Sequence, residues 1–152
     1  MNTPTTTPTA TTNPQNAPPP AHHIGRRSLL LCLLLSIITL GLYGLWWIHA
    51  LARDLNTMCA PDGKRTSGLI VLVLLSIITL GIYSIFWWYG VGERLYQNAG
   101  RFNLKFSESG TTIVLWQVLG SLILIGPLVA LFIVIKNTNA LADAYNKTQP
   151  AP

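Results

Sequence analysis

Four polar side chains recur at one spacing inside otherwise apolar sequence: Ser36, Thr39, Tyr43 and Trp47, then Ser76, Thr79, Tyr83 and Trp87 forty residues on. In an apolar medium such hydroxyls gain nothing from facing lipid tails, but they can donate across to a neighbouring helix. At 100° per residue the first four fall within an arc of about 80°, forming one stripe on a helix, and the second four do the same. The expectation is a helix-packing stripe that faces the interior of a bundle, with each Trp as an anchor at the headgroups.

Other groups offer less chemistry. His22 and His23 are adjacent and make a solvated pair rather than a metal site. Cys32 and Cys59 fit opposite ends of a membrane span about 30 Å apart, too far to bridge. Asn139, Asp143 and Asn146 share a helical face that reads as solvated or capping. No phosphate-binding glycine loop, zinc spacing or nucleophile with a base is present, so no catalytic residue, metal or cofactor is expected.

The elements that carry these residues follow from charge. The chain has 152 residues with 10 Lys and Arg against 5 Asp and Glu, and none of these falls in 28–52, 66–92 or 109–135. Each of those stretches exceeds the roughly 20 apolar residues that cross a hydrocarbon core. They predict an all-α membrane protein with three transmembrane helices, at about 28–48, 67–88 and 111–135, within a domain at 26–147. From Arg27 to Trp47 is about 30 Å of helix, which sets arginines and tryptophans at opposite interfaces. Helices continuous through Gly41 and Gly81 are expected, because a break would leave pieces too short to span. Gly126-Pro127 should kink the third helix. Residues 1–25, rich in Thr and Pro, predict a disordered tail, and 148–152 a short second one.

The run is too long for a secretory signal, and it recurs downstream where no cleavage could be meant. Pro61-Asp62-Gly63 marks a turn. The alternation from Arg101 to Phe106 fits either a strip on the membrane surface or an ordinary loop, the second being favoured. Lys and Arg divide five against five across the three spans, which leaves orientation undetermined.

Leu34 to Gly41 recurs letter for letter as Leu74 to Gly81, and the register continues through Tyr43 with Tyr83 and Leu55 with Leu95. Matching Ser, Thr, Gly, Tyr and Trp in register indicates a duplication. With one span per copy, successive copies must run antiparallel. Ala50–Asn56 and Ala140–Asn146 give a weaker third echo.

The segment 36–47 with its copy at 76–87, and the ending Asp143-Ala144-Tyr145-Asn146, resemble the bacterial family DUF4234, small multi-pass membrane proteins of unknown function. The likeness covers roughly 26–147 and implies a bacterial cell-membrane location, the inner membrane, with no activity to carry over. The reading is a non-enzymatic membrane module that acts through self-association, as a homo-oligomer, or through other membrane proteins. The alternative is a small-molecule or ion transporter or channel component built from inverted repeats. Charge confined to membrane flanks suits the lipid bilayer better than nucleic acid.

Overall fold

The computed structural model describes residues 23–149 apart from 124. Most of the tail expected to be disordered, and the last three residues, lie outside this range. Six α-helices form three hairpins: α1 (Leu29–Ile38) with α2 (Leu42–Met58), α3 (Leu69–Ile78) with α4 (Ile82–Ala99), and α5 (Gly110–Val118) with α6 (Gly126–Lys147).

The helices expected to be continuous are broken. Gly41 and Gly81 have φ of 92° and 90°, and Leu40 and Leu80 before them both have φ of 52°. The backbone donates from Gly41 to the Ser36 carbonyl and from Leu40 to that of Ile37. This is the helix-ending Schellman arrangement, with leucine at the left-handed position where glycine is usual. Thr39 then restarts the chain, since its hydroxyl donates to the Leu35 carbonyl at 2.7 Å and accepts from the Tyr43 backbone at 2.9 Å. Thr79 repeats both bonds with Leu75 and Tyr83. The duplicated Ile-Thr-Leu-Gly is therefore a stop-and-restart signal.

Beyond each break the chain doubles back. An unbroken helix would separate Ser67 from Trp87 by about 30 Å, yet the Trp87 indole donates to the Ser67 carbonyl at 2.9 Å. Ser67 and Tyr83 join hydroxyls at 2.9 Å. Arg27, just ahead of α1, is paired with Asp54 in the second half of α2, so arginines and tryptophans do not mark opposite interfaces. In the third hairpin the expected kink is a break: a short 3-10 turn (Gly120–Ile123) follows α5, and Pro127 sits in the first turn of α6. Proline is tolerated there because its missing N–H would have no helical partner. The spans expected at 28–48, 67–88 and 111–135 are thus helical hairpins, and α6 is the one helix among the described residues long and apolar enough to cross a membrane.

The long helices α2, α4 and α6 pack on one another in the same direction. Trp47 stacks on Trp88 with centroids 6.2 Å apart, and Phe102, after α4, meets Tyr145 near the end of α6 at 6.4 Å. Their buried faces are in register. Trp47, Leu51, Asp54, Leu55 and Met58 correspond to Trp87, Val91, Arg94, Leu95 and Asn98 at an offset of 40. Ala130, Val134, Asn137, Thr138 and Leu141 follow at a further 43. The third copy therefore sits two helical turns away from the echo at Ala140–Asn146. Because each copy is a hairpin that returns, the copies run parallel and not antiparallel.

The short helices fill the grooves between the long ones. The start of α3 lies against α2 and α4, that of α5 against α4 and α6, and that of α1 against α6 and α2. The groove between α4 and the start of α5 depends on glycine: a Cβ on Gly92 would come within 2.9 Å of the Gly110 Cα. The result is a closed ring of three hairpins with all three tips at one end.

Candidate functional site

The two ends of the ring differ completely. Every exposed large apolar side chain apart from Tyr96 lies within 30–46, 70–89 or 115–132, the hairpins themselves. Leu40 and Leu80, at the tips, are 95% and 93% exposed. All charged groups of the described residues lie at the other end. Counted from the helix ends beside the tips, the nearest charges in sequence are Arg27, Arg53, Glu93, Glu108 and Lys136, ten or eleven residues off, about 15–17 Å at helical rise.

At the charged end, Arg94 organises the connector between the first two hairpins. Its side chain is 4% exposed and donates to both Asp62 oxygens at 2.8 and 3.0 Å, to the Asn56 oxygen at 2.6 Å and to the Thr66 hydroxyl at 2.9 Å. The carbonyls of Lys64 and Cys59 also accept from it. Burial pushes the Asp62 carboxyl up, but hydrogen bonds from Arg94, the Lys64 backbone and Asn98 outweigh it and hold the group at about 2. The adjacent Cys59 thiol is pushed up to about 11, chiefly by burial and against the pull of Arg94. A thiol held that high is a packing group rather than a nucleophile. Both cysteines are buried and free.

Each hairpin base is fastened in its own way. Arg27 pairs with Asp54. Glu108 accepts from Lys136 at 2.8 Å, and this bond holds its carboxyl below the usual range. The face Asn139, Asp143 and Asn146, expected to be solvated, instead grips the segment leading into α1. Asn139 exchanges bonds with the Arg27 backbone, Asn146 with the Ile24 backbone, and Asp143 takes a two-pronged bond from Arg26 that lowers its carboxyl. Ile24, inside the stretch expected to be disordered, is buried. The connector from Arg101 to Phe106 alternates as its sequence does, but Phe102, Leu104 and Phe106 pack on the protein's own core.

The eight residues of the expected stripe separate into different tasks. Thr39 and Thr79 staple the tips. Ser36 lies opposite Gly44 across the first hairpin, where a Cβ would stand 3.4 Å from its hydroxyl. Tyr43 packs on Trp46 with ring centroids 5.5 Å apart, while Tyr83 and Trp87 fasten Ser67. Trp47 is buried without a partner for its indole N–H, because the carbonyl equivalent to that of Ser67 belongs to Arg27 and accepts from Asn139. Ser76 has a buried hydroxyl that is also unpartnered among the described residues. No cluster of three metal-ligating side chains occurs among the described residues.

Sequence reasoning missed Arg94, Asp54, Arg27 and Asp62 as a working set. One signal was present: the offset of 40 aligns Asp54 with Arg94, each directly before the conserved-in-copy Leu55 and Leu95. A charge at the same step of both repeats, beside a core leucine, marks a buried polar position.

Tandem hairpins, the first two sharing a turn motif, that close into a ring define an all-α protein built from internal repeats. A family profile described as a domain of unknown function, DUF4234, matches residues 27–97 and again 67–142. The chain belongs to that family. The two matches overlap across the second hairpin, as expected where one hairpin unit occurs three times in tandem. No curated protein and no solved structure matches the chain.

Proposed function

We propose that this protein is a non-enzymatic module of the bacterial cell membrane that acts through self-association or through other proteins at its charged end. The observation that carries the reading is the segregation of the surface. A slab about 15 Å deep carries no charged side chain and exposes chiefly large apolar ones, with Ser121 the exposed hydroxyl at the third tip, far more apolar surface than a soluble monomer leaves uncovered. The opposite end spends its buried charges on holding its own hairpins together, while Arg53, Arg65, Arg101 and Lys105 face outward from it. The transporter alternative drew on copies of opposite orientation, and the three hairpins run the same way.

The test is fractionation followed by cross-linking. The full chain is expected to stay with membranes through an alkaline carbonate wash and to give cross-linked dimers or larger species in its native membrane. A soluble, monodisperse monomer in detergent-free lysate would overturn the reading.

A further inference from the structure

We propose that the three hairpins enter one leaflet of the phospholipid bilayer and turn back near its midplane, so that no helix crosses and both connectors lie on one face. This rests on the membrane reading above. The occupant of the apolar surface is the acyl region of a single monolayer.

Depth is the first argument. On five of the six helices the nearest charge in sequence stands ten or eleven residues from the helix end beside the tip, about 15–17 Å at helical rise, and on α3, led by Lys64 and Arg65, about 20 Å. Half of a hydrocarbon core of about 30 Å is about 15 Å. A crossing body would need an uncharged belt twice as deep.

The tips give the second argument. Leucine in the left-handed conformation costs roughly 1–2 kcal/mol relative to glycine or an ordinary backbone, and Leu40 and Leu80 both adopt it while touching almost nothing in the protein. Protein packing cannot offset that cost, whereas transfer of a leucine side chain from water into an apolar medium can. Polar glycine or asparagine, the residues that fit the turn best, would forgo the compensation. The backbone at the first two tips also satisfies itself, through the Schellman bonds and the threonine hydroxyl, as a turn within hydrocarbon must.

Charge is the third. α6 is long enough to cross, but Lys136 stands at its middle and Asp143 and Lys147 in its second half, and Asp143 is tied to Arg26 at the base of the first hairpin. Outward-facing Arg53, Arg65 and Lys105 then stand at headgroup level, where phosphates would meet them.

Two exposed connector positions decide the matter. Arg65→Cys and Lys105→Cys, in the full chain with Cys32 and Cys59 left in their buried places, are reconstituted into sealed vesicles of phosphatidylcholine and phosphatidylglycerol and treated with a membrane-impermeant maleimide. Orientation in each preparation is fixed by protease access to a tag placed before residue 1. Both positions are expected to label from the side that bears the tag. A third variant, Leu40→Cys, should resist the reagent from both sides and react only after detergent is added. Labelling of Arg65→Cys and Lys105→Cys from opposite faces, as three crossings require, would overturn the inference while leaving the membrane reading intact. Protein that floats free of the vesicles would overturn both.

Discussion

Asp54 and Arg94 occupy the same step of successive hairpins, forty residues apart, both 4% exposed and opposite in charge. Each is neutralised from a hairpin base, Asp54 by Arg27 and Arg94 by Asp62. The duplicated helix has therefore kept the place for a buried charge and exchanged its sign. A buried ion pair of this kind contributes little net stability over an apolar pair, but removal of one partner strands the other.

Arg94→Met should for that reason destabilise the protein by about 3–5 kcal/mol. It leaves Asp62 without its main partner and frees the carbonyls of Lys64 and Cys59. Arg94→Lys should recover only part of the loss, since one ammonium cannot reach Asp62, Asn56 and Thr66 together. Denaturant titration in detergent micelles measures both.

Acid should weaken the same connector. The Asp62 carboxyl titrates at about 2 in the folded protein, below its ordinary value of 3.8. The unfolded chain therefore takes up a proton first as pH falls. The stability it confers, on the order of 2 kcal/mol, is complete above about pH 4 and disappears as pH drops through about 2. Thermal melts of the native protein should show this slope between pH 4 and pH 2, and Asp62→Asn should flatten it.

Loss of a tip staple has a smaller, repeatable cost. Thr39→Val and Thr79→Val each remove the acceptor for a restarting backbone N–H, worth about 1 kcal/mol. The tips are separate sites, so the double variant should lose about the sum. Serine at either place should restore most of the stability, a comparison that melting temperatures can make directly.

Two glycines of α4, only two residues apart, behave oppositely. Gly92→Ala drives a methyl against Gly110 and Ile113, at a cost of about 1–3 kcal/mol and a loosened third hairpin. Gly90→Ala meets nothing within 4 Å and should stabilise the helix by about 0.5–1 kcal/mol. Hydrogen exchange of α5 would report the first effect and be untouched by the second.

Helical class, the repeat and the confinement of charge were all legible in the letters, because apolar runs and matched residues are one-dimensional signals. The turn at Thr39-Leu40-Gly41 was not, for a physical reason. A break there leaves helices of ten residues, too short to span, so the premise of a crossing argues for continuity, and the left-handed leucine that ends each short helix has no signal of its own in the letters. Read as unbroken crossings of about 20 residues, the copies have to alternate in direction, whereas as hairpins they run parallel. The grip of Asn139 and Asn146 on residues 24–27 lies more than 110 positions away in sequence, beyond any periodicity. The third repeat was hidden by its own tip, which takes seven residues between its helices, 119–125, against three in the others, and lacks the threonine signal.

That long-range grip fixes an order of events during synthesis. Because residues 24–27 are fastened by α6, which follows the other five helices in chain order, the nascent chain remains an arc with two raw edges until α6 has been made. Closure is then a single late event, and a chain cut short before α6 would present those edges to whatever neighbour it met.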